Sequence, residues 1–396
     1  MIYDCIIIGA GASGLFCAGT MNRPLKGLIL EKTDRAGRKL LMSGNGQCNI
    51  THGGSIKDFP RCYGDNGKKI RSCLYKYNNL SLMNFLEKNG VATATRSDGK
   101  VFPASMDARD VLQMLLQKSQ QNGFSIEYGR PVSHMEKAAE GWRLQAGNDS
   151  YFARTVVVAT GGCSYPKTGS DGSMFDVLAR DLDISIIPPR PALSSLQVGD
   201  YPYAALSGIS FEQAQCSIWR AGKRLVQNAD ALLLTHSDLS GPAILNISKF
   251  AEPGDTLKIN YLYPLSFEEA FQRLKHAVQG TKGELANIMT AEFQLPKRFC
   301  QILTRRYGSS LKALATALTG EDFSISSVSG FEKAMVTCGG IALDELDTKT
   351  MAFRNHPGLF AIGEACDIDG VTGGYNLQFA YSSAKAAGDG IFDTLT

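Results

Sequence analysis

The stretch Ile2-Tyr3-Asp4-Cys5-Ile6-Ile7-Ile8-Gly9-Ala10-Gly11-Ala12-Ser13-Gly14 decides the fold. Residues 2–8 are too few and too β-branched for a helix, and an apolar run that ends in glycines reads as a buried parallel strand entering a tight turn. Residues 15–21 then read as a helix and Gly27-Leu28-Ile29-Leu30-Glu31 as a second strand, so a β-α-β unit closes in about thirty residues. Glycines at 9, 11 and 14 between strand and helix, with Glu31 twenty residues after Gly11, form the pattern of a dinucleotide site. Gly9 makes the turn and Gly11 lets backbone approach a pyrophosphate. Ala12 and Ser13 are expected to border the cofactor within the turn, Gly14 permits close helix packing, and Glu31, followed by Lys32, is expected to meet a ribose hydroxyl.

Three further clusters extend this site. The first is Gly37-Arg38-Lys39-Leu40-Leu41-Met42-Ser43-Gly44-Asn45-Gly46-Gln47-Cys48-Asn49. Arg38 and Lys39 are expected to neutralise phosphate, and Ser43, Gly44, Asn45, Gly46, Cys48 and Asn49 to border the ligand at close range. The second is the apolar strand Val156-Val157-Val158-Ala159, which ends in Thr160-Gly161-Gly162, where ligands of open α/β sheets gather. The third is the loop from Gly363 and Glu364 through Asp369 to Gly374-Tyr375-Asn376-Leu377-Gln378, whose glycines lead into a helix N-terminus suited to a large planar ligand.

Further along, Val111, Leu112, Leu115 and Leu116 mark a helical face over 107–121 with Asp107 as N-cap and Gly123 beyond its end. Short strands are expected at 125–132, 142–146 and 151–154, with Val132 near the cofactor. Three prolines at 188, 189 and 191 lack ladder donors and read as an extended linker at a domain boundary. Residues 195–263 read as short strands and 266–320 as short helices. The chain returns to strand near 335–337 and 359–362, then ends in a helix whose Leu377, Ala380, Ala384, Ala387 and Ile391 share a face. The expected class is α/β: a discontinuous Rossmann-like domain of residues 1–189 and 335–396, and an inserted domain of 190–334. The insert is expected to be β-barrel-like over 192–264 and helical over 265–330, and to cap the first domain.

The 396 residues are 44% hydrophobic and 20% charged, which excludes a disordered or collagen-like chain. With 41 Lys+Arg against 38 Asp+Glu the net charge is +3, a balance that argues against a dedicated nucleic-acid binder. Ten cysteines contain no C-x-x-C pair, so zinc-ribbon and thioredoxin readings fail and no metal is expected. No run approaches the ~18 apolar residues of a membrane span and no cationic leader precedes Ile2, which points to a soluble cytoplasmic protein with reduced thiols.

The clusters together resemble two-dinucleotide-binding-type flavoproteins, and more closely the BaiN/YhiN-like FAD-dependent oxidoreductases, over almost the whole chain. The specific signatures are residues 37–41 with 43–46, Thr235-His236 with Leu239-Ser240-Gly241-Pro242-Ala243-Ile244-Leu245, and 373–378. The resemblance implies FAD across the first domain, with adenosine at Glu31 and the flavin between the 43–49 loop and the helix start at 374–378. Departures fall at Gln47, where the family has Arg, at Asp238, where it has Gly, and over 168–175. Two catalytic candidates emerge: His236, as proton donor or partner of a substrate carbonyl, and Tyr375, lining the flavin. The expected activity is reduction of an activated C=C bond in a small enone of steroid or bile-acid type, with NAD(P)H as a transient reductant. An amine or aminoketone oxidase and an RNA-modifying flavoprotein are the alternatives; the oligomeric state stays open.

Overall fold

The computed structural model describes Met1–Leu395. Two compact units divide the chain: Met1–Arg190 together with the stretch from Val336 on, and Pro191–Met335.

In the first unit, β1 (Ile2–Ile8) lies parallel between β2 (Gly27–Glu31) and the strand Asp149–Val158, with Ile8 opposite both Leu30 and Val158. Strand Leu359–Ala361 adds alongside in parallel, Ala361 opposite Val158, and Phe124–Tyr128 pairs with β2 on the other side. The registers therefore bring four strand ends, near residues 8, 31, 158 and 361, to one carboxyl edge. Cys5, Ile6, Ile7 and Val156–Val158 are fully buried, as expected for a parallel sheet covered on both faces. Among the covering helices are α1 (Ala12–Gly19), Ala108–Gln121 and Tyr375–Leu395. Asp107 caps the second of these by accepting from the Arg109 amide.

Three local expectations are corrected. Helix α1 begins at Ala12, not at 15, because the glycine turn is complete by Gly11. Segments 151–154 and 156–159 belong to one strand, Asp149–Val158, since no turn residue separates them. The proline-rich run is a strand, Ile186–Ala192, paired with Val336–Ile341, because an edge position tolerates residues without N–H donors. A three-stranded sheet of Thr51–His52, Lys100–Pro103 and Thr93–Thr95 lies in a region that no sequence pattern assigns.

The second unit is built on a closed barrel of six strands, in the order Leu196–Val198, Leu239–Ser240, Lys223–Leu234, Ser210–Arg220, Thr256–Asn260, Glu321–Val328. Ala221 and Gly222, both at positive φ, form the tight turn of its long hairpin. Four helices follow between 267 and 320, the first opened by a capping box of Ser266 and Glu269. No helix among the described residues is long and apolar enough to cross a membrane.

The Glu321 carboxyl lies deep in this unit. Glu321 is 2% exposed and accepts hydrogen bonds from the hydroxyls of Tyr203 (2.5 Å), Tyr261 (2.7 Å) and Tyr307 (2.8 Å). Burial pushes its carboxyl above the usual range although the three donors and Arg306 oppose it. We predict that Glu321→Ala, which strands three hydroxyls, costs about 3 kcal/mol or more in chemical denaturation. Because the folded carboxyl titrates above its unfolded value, this group's contribution is present at acid pH and is lost as pH rises through the folded pKa. Glu321→Gln should remove that pH dependence from the unfolding midpoint; an unchanged pH profile would show that the carboxylate does not act this way.

Candidate functional site

The turn from β1 into α1 is shaped by what a side chain would strike. Gly9 has φ +104°, and a Cβ there would stand 2.6 Å from the Ala159 carbonyl oxygen. A Cβ on Gly14 would stand 2.1 Å from the Gly9 carbonyl oxygen, so strand and helix touch backbone to backbone. At Gly11 nothing lies within 4 Å, leaving open space beside the helix start. No side chain caps α1 and no acid occupies its first turn. Its leading amides, at Ala12 and Ser13 among others, are therefore orphan donors at the positive end of the helix dipole, a cradle that fits a pyrophosphate.

Glu31 ends β2 beside this cradle and is 8% exposed. Its Oε2 accepts from the Ala10 amide (2.8 Å) and its Oε1 from the Thr33 amide (2.8 Å) and hydroxyl (2.7 Å). These bonds orient the carboxylate and leave it lone pairs for ribose hydroxyls. Lys32 turns away to an ion pair with Asp171 at 2.6 Å. Val132, half-buried, begins the strand Val132–Ala138.

Gly37, in the left-handed region, donates its amide to the Ala10 carbonyl and so joins the second cluster to the first. Arg38 and Lys39, the expected phosphate cations, each stand beside a carboxylate. Arg38 pairs with Asp34 at 3.2 Å and Lys39 with Glu364 at 2.7 Å. Glu364 also accepts from the Thr337 amide, and Thr337 Oγ1 accepts from the amides of Cys163 and Ser164. This chain of bonds ties the loops after three sheet strands into one rim, with Thr160 half-buried on it, Gly161 at φ +70° and Gly162 packed on Thr337.

The loop 43–49 is strained. Gly44, Asn45, Gly46 and Cys48 all have positive φ, a conformation held only where surroundings impose it. Ser43 closes the preceding helix by donating to the Leu40 carbonyl, while Gly44 and Asn45 are exposed at the tip. The Asn49 amide, in the orientation that satisfies its neighbours, donates to the carbonyls of Thr51 and Val101 and accepts from the Gly374 amide at 3.1 Å. It thereby joins this loop to the third cluster. Cys48 is buried, which pushes its thiol up to about 11, so it is no thiolate at neutral pH.

Gly363, at φ +62°, packs on Ser13 of α1 and donates its amide to Ser383. Asp369, Tyr375 and Leu377 are half-buried around the start of the last helix. Asn376 both accepts from and donates to the backbone of Gly370, and so clamps the loop. Gln378 is fully buried: it accepts from Thr51 and donates to Ser382 and the Tyr77 carbonyl, so its amide braces the site from within. Burial and a hydrogen bond to Cys62 hold the Tyr375 hydroxyl above its ordinary range.

Sequence reading missed an aromatic wall: His52 stacks on Tyr375 at 5.6 Å between ring centroids, with Phe59 at 5.1 Å and Tyr63 at 6.1 Å. These residues lie in the unassigned region 50–106, and no periodicity marks them. His236 belongs to the second unit, exposed at the tip of the 235–238 turn.

We predict that Glu31→Gln keeps the fold but loses much of its flavin on desalting, because charge-assisted bonds from a carboxylate to ribose hydroxyls would contribute about 2–3 kcal/mol. Full retention of flavin absorbance would remove Glu31 from the site.

The family described as HI0933-like protein Rossmann domain matches residues 3–390. The chain is 32% identical to the ribosomal RNA dihydrouridine synthase of Escherichia coli (strain K12), over 97% of this chain and 96% of that one. It is 27% identical to the 3-dehydro-bile acid delta(4,6)-reductase of Clostridium scindens, over 96% and 97%. Among solved structures, the 3-ketosteroid delta1-dehydrogenase of Sterolibacterium denitrificans shares the fold, with a TM-score of 0.53 at 12% identity over 98% of this chain and 99% of that one. A dinucleotide cradle at the sheet's carboxyl edge and a family match over nearly every residue lead to one conclusion: the chain belongs to the HI0933-like Rossmann family of FAD-dependent oxidoreductases.

Proposed function

We propose that this chain reduces a C=C bond conjugated to a carbonyl, and that a uracil ring of ribosomal RNA is favoured over a free enone as the carrier of that bond. One observation supports the reaction: two differently named relatives, each aligned over at least 96% of this chain, bear names with a single chemistry. Dihydrouridine is uridine with its carbonyl-conjugated ring C=C saturated, and a delta(4,6)-reductase of a 3-dehydro compound saturates C=C bonds conjugated to a carbonyl.

FAD, when bound, supplies the hydride. The chain's own part is positioning and proton delivery. The uncapped start of α1 and Gly11 hold the pyrophosphate, Glu31 holds the ribose, and the 43–49 loop and the aromatic wall around Tyr375 border the ring and exclude water. The proton that completes saturation needs a donor. Tyr375 holds its hydroxyl proton above the ordinary range, and the imidazole of His236 is the donor we propose, on the family signature it belongs to. With one G-x-G-x-x-G only, NAD(P)H acts as a transient reductant and has no resident domain of its own.

The RNA reading has a second support. Helix Lys297–Tyr307 carries Lys297, Arg298, Arg305 and Arg306, all exposed, and no acid; Lys312 follows. Arg298 and Arg305 are seven residues apart and share a face about 10 Å long, a stripe suited to a phosphate backbone. The near-neutral total charge conceals this local excess.

The test is to reduce the flavin-loaded protein anaerobically and mix it with unmodified ribosomal RNA, with cyclohexenone, or with oxygen. We expect RNA to reoxidise the flavin and to gain dihydrouridine by nucleoside mass spectrometry. Faster turnover with the enone would move the substrate to small molecules, and reoxidation by oxygen alone would make the chain an oxidase. Purified protein should carry no nicotinamide. His236→Ala should retain FAD and slow turnover by about 10²-fold; unchanged turnover would return this side chain to a purely structural role.

A further inference from the structure

In the first unit, the hairpin of Thr93–Thr95 and Lys100–Pro103 is tied to two parts of the candidate site at once. At its turn, Gly99 accepts from the Gly53 amide at 2.7 Å, and the Asp98 carbonyl accepts from His52 Nε2 at 3.2 Å, on the ring that stacks against Tyr375. Arg96, at the start of the turn, reaches elsewhere: its Nη2 donates to Gln47 Oε1 at 2.8 Å, in the strained 43–49 loop. The guanidinium lies over the Phe102 ring, 4.0 Å from its centroid. That ring is 3% exposed, and one of its carbons is 3.4 Å from where a Cβ on Gly44 would stand. Phe102 thus lies beside the loop and carries Arg96.

Arg96 is exposed and yet held in place. Its Nη2 meets Gln47 and the Met106 sulfur, whereas Nε and Nη1 bond no acceptor among the described residues. Asp98, two residues on, is bonded by Lys100 at 2.8 Å and feels Arg96 only through space. Lys32, Arg38 and Lys39 differ, each having a carboxylate partner. Gln47, its oxygen taken by Arg96, has its NH2 group to present beside the guanidinium. A fixed cation next to an amide donor, with no acceptor supplied by the fold, is the complement of an oxyanion, and a planar guanidinium suits phosphate. The aromatic face and the Gln47 bond order the side chain in advance, which reduces what binding must spend on ordering it.

We propose that Arg96 and Gln47 bind a backbone phosphate of the RNA beside the uridine whose ring is reduced. This rests on the reading that ribosomal RNA carries the reduced bond, and it names the residues that take hold of the strand. The cofactor's own pyrophosphate has the uncapped start of α1, and a neutral enone has no anion to offer.

The test measures binding of unmodified ribosomal RNA to the flavin-loaded protein by filter retention over a salt series. Arg96→Gln should keep its flavin absorbance, weaken binding about tenfold and lower the slope of log K against log salt by about one, the loss of one phosphate contact. Arg96→Lys, which keeps the charge without the planar fork, should keep the slope and recover part of the affinity. In the unaltered protein, calorimetric titration should show uridine 3′,5′-bisphosphate binding at least about tenfold more tightly than uridine, a comparison that stands even if a variant misfolds. Equal affinities for those two ligands, no binding of RNA, or an Arg96→Gln protein with unchanged affinity and slope would overturn the assignment. Flavin lost from a folded Arg96→Gln would also overturn it, by giving the guanidinium to the cofactor. Arg96-dependent RNA binding without gain of dihydrouridine would sink the functional reading and keep this site. Dihydrouridine formed with RNA binding indifferent to Arg96 would do the reverse.

Discussion

The backbone contact between Gly9 and Gly14 is the constraint on which the first unit depends. With no Cβ at either position, the end of β1 and the first turn of α1 meet at a distance that any side chain would forbid. That contact aims the helix N-terminus at the carboxyl edge of the sheet, and the registers of four parallel strands bring their loops to the same edge. A bare position at Gly11, open space beside it and uncapped amides are consequences of the same geometry. The dinucleotide cradle follows from the way the sheet is joined to its first helix, not from a set of polar side chains.

The cations at this edge are paired within the fold. Lys32, Arg38 and Lys39 each face a carboxylate, and the Lys39–Glu364 pair, both partners largely shielded, continues into Thr337 and the 163–164 amides. These cations hold loops together. The helix dipole and backbone N–H groups offer a dinucleotide donors that are fixed before it arrives and so lose little order on binding.

Two of the buried carboxylates of the second unit, Glu321 and Asp238, are satisfied to different degrees. Glu321 is met by three tyrosine hydroxyls, a network that ties its barrel strand to the helix ending at Tyr307 and to the segments of Tyr203 and Tyr261. Asp238 is paired on one oxygen and orphaned on the other. The physics of burial is the same for both, so the difference lies in completeness: one network is closed within the fold, and the other lacks a donor.

What the sequence determined by itself was short-range. The β-branched run, the glycine spacing and Glu31 follow from steric rules over about thirty residues, and the capped helix after Asp107 and the Ala221-Gly222 turn are equally local. Their physical cause is contained in the segment that displays it. The partners of Lys39, Asn49 and Gln378 were not legible, because they come from residues remote in the chain: Glu364, Gly374 and Thr51. The aromatic wall of His52, Phe59 and Tyr63 around Tyr375 has no periodicity to announce it, and prolines at 188–191 became a strand only because residues 336–341 offered an edge. Only the tertiary structure could decide these, since a side chain's choice between ligand and neighbour depends on which donor the fold brings within hydrogen-bonding distance.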